Sequence, residues 1–285
     1  MSPQRSVIFL HIPKTGGMSF SRILARQFPP ATVYQINGRL STSAAELRGL
    51  PDERRLSIQC VYGHVPFGLH EHLPRSPAYV ALFRDPVERI ISTYYYALRR
   101  AEWDLHRQIR EGKWSLHDFV VSDLAAEFHN QQTQMVSGAD GPVDTVDALT
   151  RAKKNVNEHF ALAGVTERFD ESILLCRGVL GWKNVFYHRA NVNRHRPRLC
   201  EISRSTIAMI EKRNALDLEL YEIVRQRFEV LVRECPTVAR DLRRFRQFNG
   251  LYGAAASLFT VPMNLLRGSR AAIRRLRPRH AAGNR

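Results

Sequence analysis

The apolar run VIFL at residues 7 to 10, followed at once by HIPKTGG at residues 11 to 17, constrains the fold of this chain more than any other feature. A short run without polar residues predicts a strand that is buried on both faces. From Met18 onward, Phe20 and Leu24 recur at helical spacing. A strand, a glycine-containing turn and a helix bring free backbone N–H groups and the positive end of the helix dipole together. The stretch therefore predicts an anion-binding loop.

The residue types of this turn suit a bound phosphate or sulfate. Gly16 and Gly17 let the backbone approach a ligand closely, and Lys14 supplies a positive charge. Thr15 and Ser19 supply hydroxyl donors. In the loop of nucleotide triphosphatases the lysine follows the second glycine, whereas here it precedes both glycines, and no predicted strand ends in a magnesium-binding aspartate. The pattern disfavours an ATP or GTP hydrolase, and a simple turn with an incidental lysine remains the alternative.

The rest of the chain alternates between strand and helix patterns. Apolar and β-branched runs predict strands at residues 6 to 10, 32 to 36, 57 to 62, 78 to 83, 160 to 165 and 184 to 187. Helical periodicity predicts helices at residues 86 to 98, 115 to 136, 144 to 159, 169 to 180 and 203 to 248. Such alternation is typical of an α/β fold with a mostly parallel sheet that helices cover. The simplest division is one domain over residues 1 to 248, with an apolar helix and an arginine-rich tail over residues 249 to 285.

The stretch ALFRDPVERIISTYYY at residues 81 to 96 supplies a second anion-binding pattern. Its helix has a clear start, because Asp85 can cap it and Glu88 completes an Asp-x-x-Glu capping box. The strand before the helix delivers Arg84 to the carboxyl edge of the sheet, where ligands of open α/β folds bind. Arginine grips phosphate with two parallel hydrogen bonds, and Ser92 lies two helical turns further along. Arg84 and Ser92 are therefore candidates for one anion site.

The chain is strongly basic, with a formal charge of +16, and residues 267 to 285 contain seven arginines and no acid. This excess favours an anionic substrate, cofactor or surface. The uncharged stretch at residues 250 to 266 is either a helix docked on the domain or an interfacial membrane anchor. Widely spaced cysteines are typical of a reducing compartment, and the polar residues after Leu10 leave no room for a signal peptide. We expect a cytoplasmic protein, peripheral on the membrane if the tail binds anionic lipid.

Taken together, HIPKTGGMSF at residues 11 to 20 and FRDPVERIISTYYY at residues 83 to 96 resemble the carbohydrate sulfotransferases of the heparan sulfate 2-O- and 6-O-sulfotransferase type, within sulfotransferase family 2. Similar motifs continue in GHVPFG at residues 63 to 68, NQQTQMVSG at residues 130 to 138 and NVNRHRP at residues 191 to 197. The resemblance covers roughly residues 6 to 235. It implies a P-loop-like, three-layer α/β fold with a mostly parallel central sheet and helices on both faces.

The resemblance also implies a sulfuryl donor, 3′-phosphoadenosine-5′-phosphosulfate (PAPS), with an anion at each end. The opening loop would hold the 5′-phosphosulfate, and Arg84 with Ser92 would hold the 3′-phosphate. The basic loop NVNRHRP would close over the donor. The donor-binding residues that the family motifs imply are Lys14, Thr15, Gly16, Gly17, Met18, Ser19, Arg84, Ser92, Arg194 and Arg196. Met18 would act through its backbone.

Sulfuryl transfer resembles phosphoryl transfer, in which positioning and charge stabilisation do most of the work. A hydroxyl of a glycan or glycolipid would attack sulfur in line, while Lys14 stabilises the charge on the departing oxygen. His64, in a GH pair that matches the family's catalytic histidine, would take the hydroxyl proton as general base. His11 would shape the loop. No metal is expected in this scheme.

The acceptor is less well defined by the sequence than the donor. The uronyl 2-O-sulfotransferases carry a second histidine two residues before the catalytic one, where this chain has Tyr62, and this departure argues against a uronic acid acceptor. Asn130, Gln131 and Gln134 are candidate acceptor contacts, because amides bind sugar hydroxyls, although they also suit a polar helix face.

Two other functional classes remain open. A non-catalytic module could use the basic surface to bind a membrane or a nucleic acid. Nucleic-acid binding favours aromatic residues among the arginines, however, and the segment from Arg267 onward has none. A nucleotide kinase could share the loop architecture, but its loop sequence is absent. The sequence thus favours a PAPS-dependent O-sulfotransferase that acts on a carbohydrate.

Overall fold

The computed structural model describes residues 5 to 188 and 196 to 259, apart from the side chains of residues 255 to 259, and contains one parallel sheet. Its five strands are arranged in the order β2-β3-β1-β4-β5, and every neighbouring pair is parallel. The strands are β1 (Val7–Leu10), β2 (Val33–Gln35), β3 (Cys60–Gly63), β4 (Ala78–Phe83) and β5 (Phe160–Val165). The predicted α/β fold is confirmed, with five of the six predicted strands present.

Helices flank the sheet and fill the connections between its strands. In the described part of the chain they are α1 (Gly17–Leu24), α2 (Leu40–Arg48), α3 (Asp52–Ser57), α4 (Pro86–Ala97), α5 (Asp104–Glu111), α6 (Leu116–Val121), α7 (Gln131–Ser137), α8 (Val146–His159), α9 (Phe169–Leu180), α10 (Arg204–Arg213), α11 (Ala215–Glu234) and α12 (Pro236–Phe259). The sequence predicted the helices that follow β1, β4 and β5, but not α2, α3 and α5.

The order of the strands creates a switch point at the carboxyl end of β1. From β1 the chain moves to the edge strand β2, returns to β3, and then passes β1 to reach β4 and β5. Such a reversal leaves a crevice at the carboxyl ends of the strands, where open α/β sheets bind ligands. Leu10, Gly63, Phe83 and Val165 end their strands at this edge. The loops after these four residues therefore converge.

Apolar packing fixes the two strands next to this crevice. Every residue of β1 and β4 is at most 1% exposed, which explains their uninterrupted apolar sequences. The first helix adds Phe20, Ile23 and Leu24, all fully buried, to the same core. Burial of an apolar side chain of this size contributes about 1.5–3 kcal/mol. The loop between β1 and α1 is thus held at both ends by the core.

Residues 184 to 187 do not form the sixth predicted strand. The backbone of this segment bonds to side chains instead of to a neighbouring strand. The N–H of Tyr187 donates to Asn249 Oδ1 at 2.7 Å, and Arg26 donates to the carbonyl oxygen of Phe186. Because the Tyr187 side chain is buried, the apolar pattern reflected burial and not sheet pairing.

The predicted helix over residues 115 to 136 is divided into three pieces. The first, α6, ends at Val121, a 3-10 segment spans Asp123–Phe128, and α7 begins at Gln131. Asn130 adopts a left-handed conformation with φ of 48°, and its Oδ1 accepts two backbone N–H groups from the first turn of α11. Tertiary bonding has overridden local helix propensity here.

The predicted helix over residues 203 to 248 consists of α10, α11 and α12. The helix is interrupted at Asn214 and at Cys235. Pro236 has no N–H with which to continue α11. The last helix crosses the predicted domain boundary at residue 248 without interruption.

Membrane-related features of the C-terminal part are described only as far as residue 259. Within the described ranges, no helix combines the length and the hydrophobicity that crossing a bilayer requires. Residues 260 to 266 of the uncharged stretch and the tail from Arg267 to Arg285 lie outside the described residues. The predictions for the tail remain predictions.

A buried ion pair joins the helices around the site. Arg89 on α4 and Asp217 on α11 are both fully buried, with Arg89 Nη2 3.5 Å from Asp217 Oδ2. Asp217 also accepts the backbone N–H groups of Gln132 and Thr133 in α7 at 3.1 and 2.7 Å. Removing one partner of such a pair costs about 3–5 kcal/mol, because the remaining charge is left buried. The pair therefore holds α4, α7 and α11 together.

Candidate active site

One cleft of about 1210 Å³ opens at the carboxyl edge of the sheet, where β1, β3, β4 and β5 end. It brings together the predicted residues His11, Lys14, Gly16, Gly17, Met18, Ser19, His64, Arg84, Ser92 and Arg196. Thr15 is not among the lining residues, and Arg194 lies outside the described part of the chain. Motifs from distant parts of the sequence thus meet in one place, and their roles in binding stay predictions.

The loop between β1 and α1 has an unusual backbone path. Lys14 has a φ of 69°, which is costly for a residue with a side chain, and Gly16 has a φ of 84°. The Gly16 carbonyl oxygen accepts the N–H of Ser19 at 3.1 Å, which starts α1. The buried Thr15 hydroxyl donates to the Ile12 carbonyl oxygen at 2.8 Å. Thr15 therefore braces the turn and does not offer its hydroxyl to the cleft.

The absence of a side chain at Gly17 makes room for His11. A Cβ atom at residue 17 would lie 1.9 Å from His11 Nε2, far inside van der Waals contact. The His11 ring stacks on the His64 ring with centroids 4.1 Å apart. Burial, together with the nearby His64 and Lys14, lowers the pKa of His11 to about 3. His11 is therefore neutral near pH 7, which suits the predicted role of shaping the loop.

We expect Gly17→Ala to lower the free energy of unfolding by about 1–3 kcal/mol, because the added methyl group overlaps the His11 ring. Thermal unfolding followed by circular dichroism measures the change. Gly141→Ala is the matched control, since a Cβ at residue 141 would meet no heavy atom within 4 Å. In the double variant Gly17→Ala/His11→Ala the ring is gone, so the loss should be smaller than the sum of the two single losses. Additive losses would rule out the contact as the cause.

Lys14 places its ammonium group over an aromatic ring. Its Nζ lies 3.3 Å from the centroid of the Tyr96 ring on α4, a cation–π contact. The Tyr96 hydroxyl accepts a hydrogen bond from Arg100 Nε at 2.8 Å. Burial, followed by the charges of Arg99, Arg84 and Arg100, lowers the pKa of Lys14 to about 7. Lys14 therefore titrates near neutral pH, and an anion beside it would favour its charged form.

Arg84 follows β4 and is largely buried, with 17% of its side chain exposed. Its Nη1 donates to the Lys14 carbonyl oxygen at 3.1 Å, so the two predicted anion-binding motifs are in contact. Glu88 Oε2 accepts from Arg84 Nη2 at 3.0 Å and also pairs with Arg196. Burial acts to raise the pKa of Glu88, but Arg196 and Arg84 outweigh it and the pKa is lowered. A carboxylate thus bridges the two arginines that the motifs assign to the donor.

Most other cations of the cleft also have acidic partners. Arg168 pairs with two glutamates, and Arg246 pairs with an aspartate. Within the described ranges, Lys14 and Arg99 are the lining cations that have no carboxylate oxygen within 4.0 Å. Positive charge in excess of the local acids suits an anionic ligand near these two residues.

His64 follows directly after β3 and lines the cleft. Gly63 permits this turn, because its φ is 155° and a Cβ there would lie 1.6 Å from the Ile36 carbonyl oxygen. His64 Nδ1 lies 2.8 Å from the His11 carbonyl oxygen. Since a carbonyl oxygen only accepts, Nδ1 carries the proton and Nε2 is the basic nitrogen. Burial lowers the pKa of His64, and the hydrogen bond to His11 partly opposes this change.

Several lining residues were missed by the sequence analysis. Thr166 follows β5, and its hydroxyl lies 2.8 Å from the carbonyl oxygens of both Thr15 and Phe83. The rule that parallel strands end at one edge could have identified Thr166. The last helix contributes Arg246, Asn249, Gly250 and Gly253. No local pattern signals these four residues, because they reach the cleft through the packing of α12 on α9.

The amide residues that the sequence suggested as acceptor contacts do not line the cleft. Gln131 Oε1 accepts from the buried Arg89 Nη1 at 2.9 Å, and Asn130 bonds to α11. Gln134 is also outside the lining. Tyr62, at the position of the second histidine of the uronyl enzymes, bonds through its hydroxyl to β2 and is outside the lining as well. The two bonded amides instead stabilise the packing of α7.

The chain is similar to known proteins over most of its length. A family model described as galactose-3-O-sulfotransferase matches residues 1 to 252. Heparan sulfate 2-O-sulfotransferase 1 of Xenopus laevis is 30% identical over 196 residues, which cover 61% of this chain and 54% of the relative. The Mus musculus protein of the same name is 25% identical over 256 residues, or 79% of this chain and 71% of the relative. Heparan sulfate 2-O-sulfotransferase hst-2 of Caenorhabditis elegans is 22% identical over 258 residues, or 80% and 79%.

The fold and the cleft define a P-loop-like α/β protein whose glycine-containing loop after the first strand lines the cleft. Because the family model covers most of the chain, the protein belongs to the galactose-3-O-sulfotransferase family. The predicted resemblance to carbohydrate sulfotransferases is confirmed. The chain spans about half the length of the Xenopus relative, 54%.

Proposed function

We propose that the protein is a PAPS-dependent sulfotransferase that transfers a sulfuryl group to a hydroxyl of a carbohydrate. The observation that carries the proposal is the convergence of Lys14, Arg84, Ser92 and His64 on one cleft. Membership of a carbohydrate sulfotransferase family supports the reaction class. The names of the heparan sulfate relatives support a saccharide acceptor.

The residues of the cleft fit a donor with two separated anions. Lys14 and the start of α1 would hold the 5′-phosphosulfate, which carries the group to be transferred. Arg84, Arg196 and Ser92 would hold the 3′-phosphate, and Glu88 would share the two arginines with it. ATP has no 3′-phosphate, so the second set of residues would lack a partner in a kinase.

His64 and Lys14 would act on the two ends of the reaction. As the acceptor oxygen forms its bond to sulfur, His64 Nε2 would take the hydroxyl proton. As the bond from sulfur to the bridging oxygen breaks, Lys14 would stabilise the negative charge on the departing phosphate. The His11 carbonyl oxygen keeps the proton on His64 Nδ1, and it would also stabilise the imidazolium ion that forms.

An aromatic wall beside Lys14 is the proposed place of the acceptor sugar. Tyr95, Tyr96, Trp103 and Phe128 line this side of the cleft, and Tyr96 contacts Lys14. Ligand pockets combine apolar walls with a few polar groups that fix orientation. The apolar C–H faces of a sugar would pack on these rings while one hydroxyl reaches His64.

We also propose that the protein is cytoplasmic and that its tail, residues 267 to 285, binds anionic membranes peripherally. Seven arginines without an acid support the attraction to anionic lipid. The four cysteines are free, which agrees with a reducing compartment.

Calorimetric titration with adenosine 3′,5′-bisphosphate, the desulfated product, tests the donor assignment. We expect a Kd in the micromolar range, about −8 kcal/mol, and binding of AMP and ATP that is at least about 10-fold weaker. Arg84→Gln should weaken bisphosphate binding about 10-fold or more but leave AMP binding nearly unchanged, because only the bisphosphate carries the 3′-phosphate.

Arg99→Gln is the control for these titrations. Arg99 lines the same cleft but does not belong to the group formed by Arg84, Glu88 and Arg196. It should change the affinities for the bisphosphate and for AMP by similar factors. Tighter binding of ATP than of the bisphosphate would favour a kinase. Absence of bisphosphate binding would contradict the sulfotransferase proposal.

A further inference from the structure

The outer face of α12 carries an exposed apolar patch. Phe248 and Leu251 are 57% and 68% exposed, and Tyr252 is 37% exposed. Leu251 and Tyr252 follow Phe248 by three and four positions, so both are neighbours of Phe248 on the helix surface. In the rest of the described chain, exposed large apolar side chains occur singly on separate elements. A contiguous exposed patch of this kind marks an interaction surface.

Exposed basic side chains lie on the turns of α12 that precede the patch. Arg240, Arg243 and Arg244 are exposed, and Arg244 precedes Phe248 by one helical turn. Arg240 pairs with the adjacent Asp241. Among the described residues, Arg243 and Arg244 have no carboxylate oxygen within 4.0 Å. Apolar and basic side chains on one helix face match the boundary of an anionic bilayer, where apolar groups enter the acyl region and arginines contact the headgroups.

The same helix borders the cleft with its other side. Asn249, Gly250 and Gly253 line the cleft, whereas Phe248 and Leu251 point to solvent. An α-helix with its side chains is about 10–12 Å wide. A surface that contacts the patch would therefore lie about one helix diameter from the cleft.

We propose that Phe248, Leu251, Arg243 and Arg244 form a docking surface for an anionic lipid bilayer. The bilayer would hold the cleft close to the headgroups. The membrane contact does not depend on the proposed sulfotransferase function, so vesicle binding and bisphosphate binding can fail separately.

Co-sedimentation of the full chain with vesicles tests the apolar part of the surface. We expect binding to vesicles of phosphatidylcholine mixed with phosphatidylglycerol, and an association constant about 10-fold or more lower for Phe248→Ser/Leu251→Ser. Leu56→Ser/Val146→Ser is the matched control, since these side chains are 54% and 71% exposed on other helices. The tail beyond residue 259 is present in both double variants, so its contribution cancels. Equal binding of the two variants would overturn the proposal.

A second pair of variants tests the basic part. Arg243→Gln/Arg244→Gln should lower the association constant about 10- to 30-fold at low ionic strength and reduce its salt dependence. Arg48→Gln/Arg151→Gln removes two exposed arginines elsewhere and should bind as the wild type does. Failure of the wild type to bind anionic vesicles would overturn the proposal. So would a dimer in analytical ultracentrifugation that Phe248→Ser/Leu251→Ser dissociates, because a second copy would then cover the patch.

Discussion

Lys14→Ala is expected to lower turnover by about 100-fold or more. Lys14 would contact charge that appears on the departing oxygen only in the transition state, and loss of one such group costs about 2.7–4 kcal/mol. Binding of the desulfated product should weaken by a smaller factor than turnover falls. Single-turnover kinetics with PAPS and a saccharide acceptor would separate the chemical step from binding and release.

Lys113→Ala is the matched control for this variant. Both lysines have a positive φ, 69° for Lys14 and 50° for Lys113, so the backbone consequences of the two substitutions are similar. Lys113 is exposed and does not line the cleft. Its replacement should leave turnover unchanged. Turnover near the wild-type value in Lys14→Ala would exclude Lys14 from the mechanism.

The lowered pKa of Lys14 gives a second signature of the same role. In the free protein its pKa is about 7, and a bound phosphate would raise it. Binding of adenosine 3′,5′-bisphosphate above pH 7 should then take up a proton, and the affinity should fall as the pH rises from about 7. Calorimetry in buffers with different ionisation enthalpies measures this uptake. Proton uptake that persists in Lys14→Ala would assign the titration to another group.

The parts of the site that lie on neighbouring residues could be predicted from the sequence. The uninterrupted apolar runs of β1 and β4 specify buried strands, because no other short element hides every side chain. The turn that contains Gly16 and Gly17 and the Asp85 cap then specify where the next helices begin. Asp85 accepts the N–H of Glu88 at 2.9 Å, as predicted. Arg84 thereby reaches the sheet edge at the predicted position.

Contacts between distant elements could not be predicted in this way. Glu88 was expected to complete the capping box, but its side chain bonds to Arg84 and Arg196. The backbone N–H of Asp85 donates to Glu167 instead, at 3.1 Å. Electrostatic attraction across the cleft has thus replaced a local hydrogen bond. A single sequence does not show which charged side chains will meet once the strands are assembled.

The contribution of the last helix was hidden for a related reason. Its apolar and polar residues predict a helix, but not the element on which the helix packs. Tyr187 and Arg246 both bond to Asp170, which fixes α12 next to the loop that follows β5. In the same region, Asn249 Oδ1 accepts a hydrogen bond from the backbone N–H of Tyr187. The segment around residue 185 therefore resembles a strand in sequence and is a buried connection in the structure.

His64→Ala is expected to lower kcat by about 10²- to 10⁴-fold, the range for loss of a general base. The hydrogen bond from Nδ1 to the His11 carbonyl oxygen leaves Nε2 as the proton acceptor, so no other atom of the ring can serve. Bisphosphate affinity should change little, because the proposed phosphate contacts are made by Lys14 and Arg84. His72→Ala, which removes a histidine outside the cleft, should keep the wild-type rate.

The pH dependence of kcat/KM provides the decisive comparison. His64 must be neutral to accept a proton, and its pKa lies below the ordinary value of 6.5 because the ring is partly buried. The value of kcat/KM should therefore stay constant as the pH is lowered to 6.5. It should fall only at lower pH, where His64 becomes protonated. Because the pKa of His11 is about 3, a fall in rate caused by His11 would lie near pH 3. In His64→Ala this fall at low pH should disappear, and most of the activity should be lost. If the fall at low pH is unchanged, or if the activity stays near the wild-type value, the base is another residue.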